Sequence, residues 1–203
     1  MGELIRFPKV SPRRLDFARA KRHSDPTDFG QLSLFSEPTG DLILFPHRLG
    51  KFERAVLLDE RDPVAAAQLY REAISDGDYV ADAYCNLGIL ETREARVDEA
   101  LDCFTRALVF HPRHLEAHYN LANLYVDLGN IRLARAHYLL VTRIDPDFSN
   151  AYFNLGLVQT MMGEFSSAIC SLEQFKRLAD PLDISKAEEL IRKLKEVLPA
   201  DSN

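Results

Sequence analysis

Three asparagines, Asn86, Asn120 and Asn154, recur at a spacing of 34 residues. A primary amide donates and accepts hydrogen bonds at once, so a row of such side chains can hold an extended backbone without reading its sequence. His111, His114 and His118 are the one cluster of metal-ligating types at short spacing. His114 and His118 lie four apart, yet no carboxylate or cysteine completes a ligand set at a recognised spacing, so no metal is expected. The chain has no glycine-rich phosphate loop, no nucleophile elbow and no His-Glu-x-x-His motif, and neither a cofactor nor an enzymatic activity is expected. Its acidic residues lie mostly on the solvent faces of helices and in turns, where neighbouring carboxylates carry no catalytic meaning. Cys85, Cys103 and Cys170 are an odd number at irregular spacing, which suits buried, inert thiols in a reducing cytoplasm.

The elements that must carry these residues follow from the same spacing. Segments 81–114, 115–148 and 149–182 align without gaps, matching Ala83/Ala117/Ala151, Leu87/Leu121/Leu155, Ala100/Ala134/Ala168 and Phe104/Tyr138/Leu172. A fixed period of this size is the signature of stacked supersecondary units. Each unit holds two apolar stretches at helical spacing around a turn, at Ala95, Gly129 and Gly163. Pro112 and Pro146 close the second helix of their units, because proline cannot donate the next helical hydrogen bond. Small residues at Gly88, Ala122 and Gly156 let paired helices approach, and Tyr84, Phe104, Tyr138 and Leu172 fill the space between them.

At these positions the chain resembles the tetratricopeptide-repeat family. The aromatic-x-x-Leu-Gly pattern is present as Tyr84-Leu87-Gly88 and Tyr152-Leu155-Gly156, and more loosely as His118-Leu121-Ala122. The later Ala-x-x-x-aromatic signature is present as Ala100-Phe104 and Ala134-Tyr138. Glu91 and Gln159 replace an aromatic, Leu172 replaces another, and the third closing proline is displaced to Pro181. In this frame His114 falls in a turn, and His118 takes an aromatic packing position. The register extends back to a degenerate unit at 47–80, with a first helix near 49–60 and Asp62-Pro63 starting the second. It extends forward to a cap helix at 183–198, where Ser185-x-x-Glu188 forms a capping box and Ala187, Leu190, Ile191 and Leu194 make one apolar stripe. The resemblance implies an all-α, right-handed α-solenoid of about four helix-turn-helix units (47–80, 81–114, 115–148, 149–182) plus the cap, forming a domain at 47–198 with a tail at 199–203.

The resemblance also implies that the first helix of each unit lines a concave groove. Asn86, Asn120 and Asn154 would stand there, flanked among others by Asn123, with Tyr119, Phe153, Leu157 and Met161 selecting apolar side chains of a bound segment. The same asparagines can equally tie neighbouring helices together, and the two uses are compatible. Some co-chaperones of the family grip a C-terminal carboxylate with lysine, arginine and asparagine. Here Cys85, Glu116 and Tyr119 stand where cations would be needed, so that mode is not expected.

Residues 1–46 form an irregular extension. Ser11-Pro12 starts a short helix to about Arg22, and two apolar runs at 31–35 and 42–45, split by a turn-rich segment, make either a β-hairpin or a disordered tail. Gln31-Leu32-Ser33-Leu34-Phe35 resembles the short motif by which bacterial replication and repair proteins dock on the polymerase sliding clamp, which gives an alternative function as a clamp-tethered accessory. Residues 1–22 carry seven basic and two acidic side chains, and residues 51–203 have a balance of −8 within a total of −6. A basic head on an acidic body suggests intramolecular docking or a second partner. The head is too short and too mildly charged for direct nucleic-acid binding to be expected. No apolar run is long enough to span a bilayer and no signal peptide is evident, so a cytoplasmic protein-binding or peptide-binding scaffold without membrane association is expected. Its oligomeric state and its partner have no signature in the sequence.

Overall fold

The structure, a computed structural model, describes residues 49–197. The pentapeptide Gln31–Phe35, the hairpin considered for 31–45 and the tail at 199–203 lie outside the described residues. Among the described residues there are nine helices and no strand: α1 (Lys51–Leu58), α2 (Pro63–Asp76), α3 (Val80–Arg93), α4 (Val97–Phe110), α5 (Leu115–Asp127), α6 (Ile131–Ile144), α7 (Ser149–Met161), α8 (Phe165–Leu178) and α9 (Ser185–Val197). Two compact units divide them, one comprising residues 49–117 and the other residues 118–197, with the boundary inside α5.

Helix ends follow the local chemistry. Asp62 accepts the Ala65 amide at 3.0 Å, and Pro63 occupies the first turn of α2, where its missing donor costs nothing. Four helices end alike: Gly77, Ala95, Gly129 and Gly163 all have positive φ. The next residue in each case bonds back to a carbonyl five positions earlier, as in Asn130 to Tyr125 at 2.7 Å and Glu164 to Gln159 at 2.9 Å. This is the left-handed C-terminal closure that glycine makes without strain. Ala95 makes it with a side chain. The capping box expected at the last helix is not formed. Ser185 is the first helical residue, and the Glu188 amide bonds to the Ile184 carbonyl, so the serine sits one position too late to cap.

Helix pairing is steric. A Cβ on Gly88 would come within 2.8 Å of the Phe104 ring, and one on Gly156 within 2.7 Å of Leu172. The small residue of the first helix thus makes room for the bulky residue of the second in both pairs. In residues 49–117 the core joins Phe52, Ala66, Tyr70, Ala73, Ala83, Leu87 and Leu90. In residues 118–197, Ala168, Leu172 and Phe175 of α8 pack on Ala187, Leu190, Ile191 and Leu194 of α9, so the amphipathic stripe of the last helix closes that unit.

Candidate interaction surfaces

Within residues 118–197 the expected site residues separate into an inner and an outer group. Tyr119, Asn120, Asn123 and Asn154 are buried. Asn154 Nδ2 donates to the Tyr119 hydroxyl at 3.1 Å and approaches Asn123 Oδ1 at 3.4 Å, and the Tyr138 hydroxyl also donates to Asn123 Oδ1. Burial pushes the Tyr138 phenol well above its ordinary pKa, so it remains a donor at any physiological pH. Edge-on contacts of the Tyr119 ring with Phe148, at 5.0 Å, and Tyr138, at 5.9 Å, fix it from two sides. These polar groups tie α5, α6 and α7 together, which is the helix-tying use of the asparagines. Phe153 and Leu157 are half-buried against the α8–α9 cluster, with Phe153 5.0 Å from Phe175, and Met161 at the end of α7 is 58% exposed.

The histidines have structural surroundings. The Ala117 amide donates to His114 Nδ1 at 3.2 Å, so the imidazole caps α5, while Asp82 Oδ1 lies 3.3 Å from Nε2 without an aligned hydrogen bond. His118 shares an Nδ1–Nδ1 contact of 2.9 Å with His137, whose pKa falls to about 4 through burial and the neighbouring His118. Among the described residues no three His, Cys, Asp or Glu side chains converge as a metal site. The expectation of uniformly buried thiols needs correction. Cys85 and Cys103 are buried, but Cys170 lies on the outward face of α8, between the inward-facing Ala168 and Leu172, and is exposed.

In residues 49–117, Asn86 is buried, and the departures from the aromatic pattern acquire a cause. Glu91 is buried and held by Arg71 Nη2 at 2.9 Å and by Arg96 Nε. In the other unit Gln159, the counterpart of Glu91, accepts from Ser171 Oγ at 2.7 Å. A second buried carboxylate, Asp59, takes the Arg93 guanidinium and the Tyr70 hydroxyl, both at 3.3 Å. A cleft of about 600 Å³ opens between α2, α3 and α4 over Ile74, Tyr84, Leu87 and Cys103, and Asp98, Glu99 and Asp102 stand on its α4 side. Burial raises the Cys103 thiol to about 12, which leaves it unreactive at the cleft floor.

A sequence profile described as "TPR repeat" matches residues 122–163. Tetratricopeptide repeat protein 8 of Mus musculus is 28% identical over 116 residues, covering 57% of this chain and 22% of the relative. Protein O-mannosyl-transferase TMTC3 of Homo sapiens is 33% identical over 107 residues, covering 51% of this chain and 12% of the relative. The chain therefore spans less than a quarter of the length of these curated relatives. A solved tetratricopeptide repeat protein from Parabacteroides merdae superposes with a TM-score of 0.62 at 21% identity, over 72% of this chain and 59% of that one. The first such domain of Spaghetti (RPAP3), solved with the HSP90 peptide SRMEEVD, superposes with a TM-score of 0.53 at 21% identity, over 57% of this chain and 90% of that one. The fold is that of tetratricopeptide-repeat proteins, and residues 122–163 match the repeat itself. Its tetratricopeptide packing was legible in the sequence, and the Asp59–Arg93 and Glu91–Arg71 links were not. The one available signal was opposite charge at a separation of one repeat, from Asp59 to Arg93.

Proposed function

We propose that the chain is a non-enzymatic scaffold that binds a segment of a partner protein against the first helices of its repeats, with Phe153, Leu157 and Met161 of α7 supplying apolar contact. The observation that carries this reading is the division of labour in residues 118–197. The buried polar groups are spent on one another, while an aromatic, a leucine and a methionine remain at least partly accessible along α7. Met is suited to such a surface because its flexible thioether adapts to different apolar partners.

The partner chemistry differs from that of the acidic HSP90 peptide. Cys85, Glu116 and Tyr119 occupy positions where a carboxylate grip needs cations. An apolar segment fits better. The test is affinity capture from the native cell by the full chain and by Leu157→Lys/Met161→Lys, with matching thermal melts. A partner captured by the wild type and lost with the folded variant supports the reading. Equal capture by both moves the binding surface away from α7.

A further inference from the structure

The cleft of about 600 Å³ between α2, α3 and α4 is lined entirely by side chains of residues 49–117. Ile74, Leu87 and Cys103 make part of it apolar, and Tyr84 adds a ring. Phe110 stacks on Tyr84 with centroids 5.8 Å apart and is 59% exposed, so the aromatic surface continues beyond the cleft. The counterpart of Glu91 one repeat on is Tyr125. At position 91 a smaller carboxylate is drawn to Arg71 and Arg96, and the space beside it stays open.

One arginine already shows what this surface accommodates. The Arg106 guanidinium pairs with Asp102 at 2.8 Å, donates to the Tyr84 hydroxyl at 3.4 Å and lies over that ring, 5.8 Å from its centre. Carboxylate and ring act on it together, a combination that favours a cation. More carboxylate lies along the same edge. Asp98, Asp102 and Arg106 follow at four-residue steps on α4 and so share one face of the helix. Asp98 is exposed and has no ion pair among the described residues. Glu99 is attracted to Arg96, but that guanidinium also serves Glu91 and Glu94. Counting Arg96 and Glu94 with the lining, five carboxylates stand against three guanidiniums, an excess of two negative charges. Such an excess repels an acidic segment and steers a basic one inward.

We propose that the α2–α3–α4 cleft is a second docking site, which takes a segment of a partner protein in which an arginine or lysine adjoins a large apolar side chain. The cation meets Asp98 and Glu99, as Arg106 meets Asp102, and the apolar side chain lies against Ile74, Tyr84 and Phe110. All of these residues belong to 49–117, so the site does not depend on the α7 surface. Contact between exposed charges makes the binding sensitive to salt.

Selection of a displayed random-peptide library on the full chain tests this. Parallel selections use Asp98→Lys/Glu99→Lys and Leu157→Lys/Met161→Lys, each checked for folding by its thermal melt. The expected result is a set of peptides that join Arg or Lys to a neighbouring aromatic or aliphatic residue, kept by the α7 variant and lost with the α4 variant. Synthesised singly, such a peptide should bind several-fold more weakly at about 500 mM salt than at about 50 mM. If the charge reversal unfolds the chain, Asp98→Asn/Glu99→Gln removes the charges at nearly constant shape and gives the same reading. The proposal is overturned if no peptide is enriched, or if none of those enriched is lost with the α4 charges. It is equally overturned if the peptides so lost carry no cation, bind independently of salt, or also need Leu157 and Met161.

Discussion

Arg93 reaches back one whole repeat to Asp59: Nη1 lies 3.3 Å from Oδ1, 34 residues away. The carboxylate is buried, the guanidinium is partly exposed, and the Tyr70 hydroxyl takes the other carboxylate oxygen. The pair links the ends of the first helices of two successive units. Arg93→Leu strands a buried carboxylate and should cost about 1–3 kcal/mol, below a fully buried pair because water screens the guanidinium. Denaturant unfolding of Asp59→Asn, Arg93→Leu and the double variant measures the coupling. Additive losses would mean that the two side chains stabilise the fold separately.

Ala95 adopts φ 58° where the equivalent turns use Gly129 and Gly163 at 73° and 76°. A side chain in that conformation is strained, and nothing lies within 4 Å of a Cβ on either glycine, so backbone preference alone decides these sites. Ala95→Gly should raise stability by about 0.5–1 kcal/mol, and Gly129→Ala should lower it by about 1 kcal/mol. Thermal melts of both variants should therefore move in opposite directions.

Ala100 is fully buried in the pairing of α3 with α4. Ala100→Phe forces a ring into a contact that has no room for it and should cost about 3 kcal/mol or more. Unfolding by circular dichroism reads this directly, and a variant that melts like wild type would show the repeat register to be misplaced.

His137 gives the fold a pH dependence of known sign. Burial and His118 lower its folded pKa to about 4, below the unfolded value of 6.5, so the unfolded chain takes up the proton first. Its contribution is complete above pH 6.5, declines as pH falls towards about 4, and is constant below. The full shift corresponds to about 3 kcal/mol, reduced to about 1–2 kcal/mol because the ring is partly solvated. Subtracting the pH–stability curve of His137→Gln from that of the wild type isolates this contribution.

The helix pairs were legible because their packing is local and steric. Gly88 against Phe104 and Gly156 against Leu172 lie sixteen residues apart in each case, and a fixed period exposes both. Glu91 and Gln159 were visible only as departures from an aromatic position. Their partners Arg71, twenty residues upstream, and Ser171, twelve downstream, follow no shared spacing. The amides show the same limit. Asn154 recurs as regularly as Leu155, but its engagement with Tyr119 depends on a ring orientation that no spacing encodes.

The central claim, a partner segment held along the first helices of the repeats, is tested most directly by hydrogen exchange of the full chain with and without its captured partner. Protection gained on binding should concentrate in α7, around Phe153, Leu157 and Met161, with little change in α6 and α8. Protection confined to α6 or α8, or absent from the repeats altogether, would contradict the account.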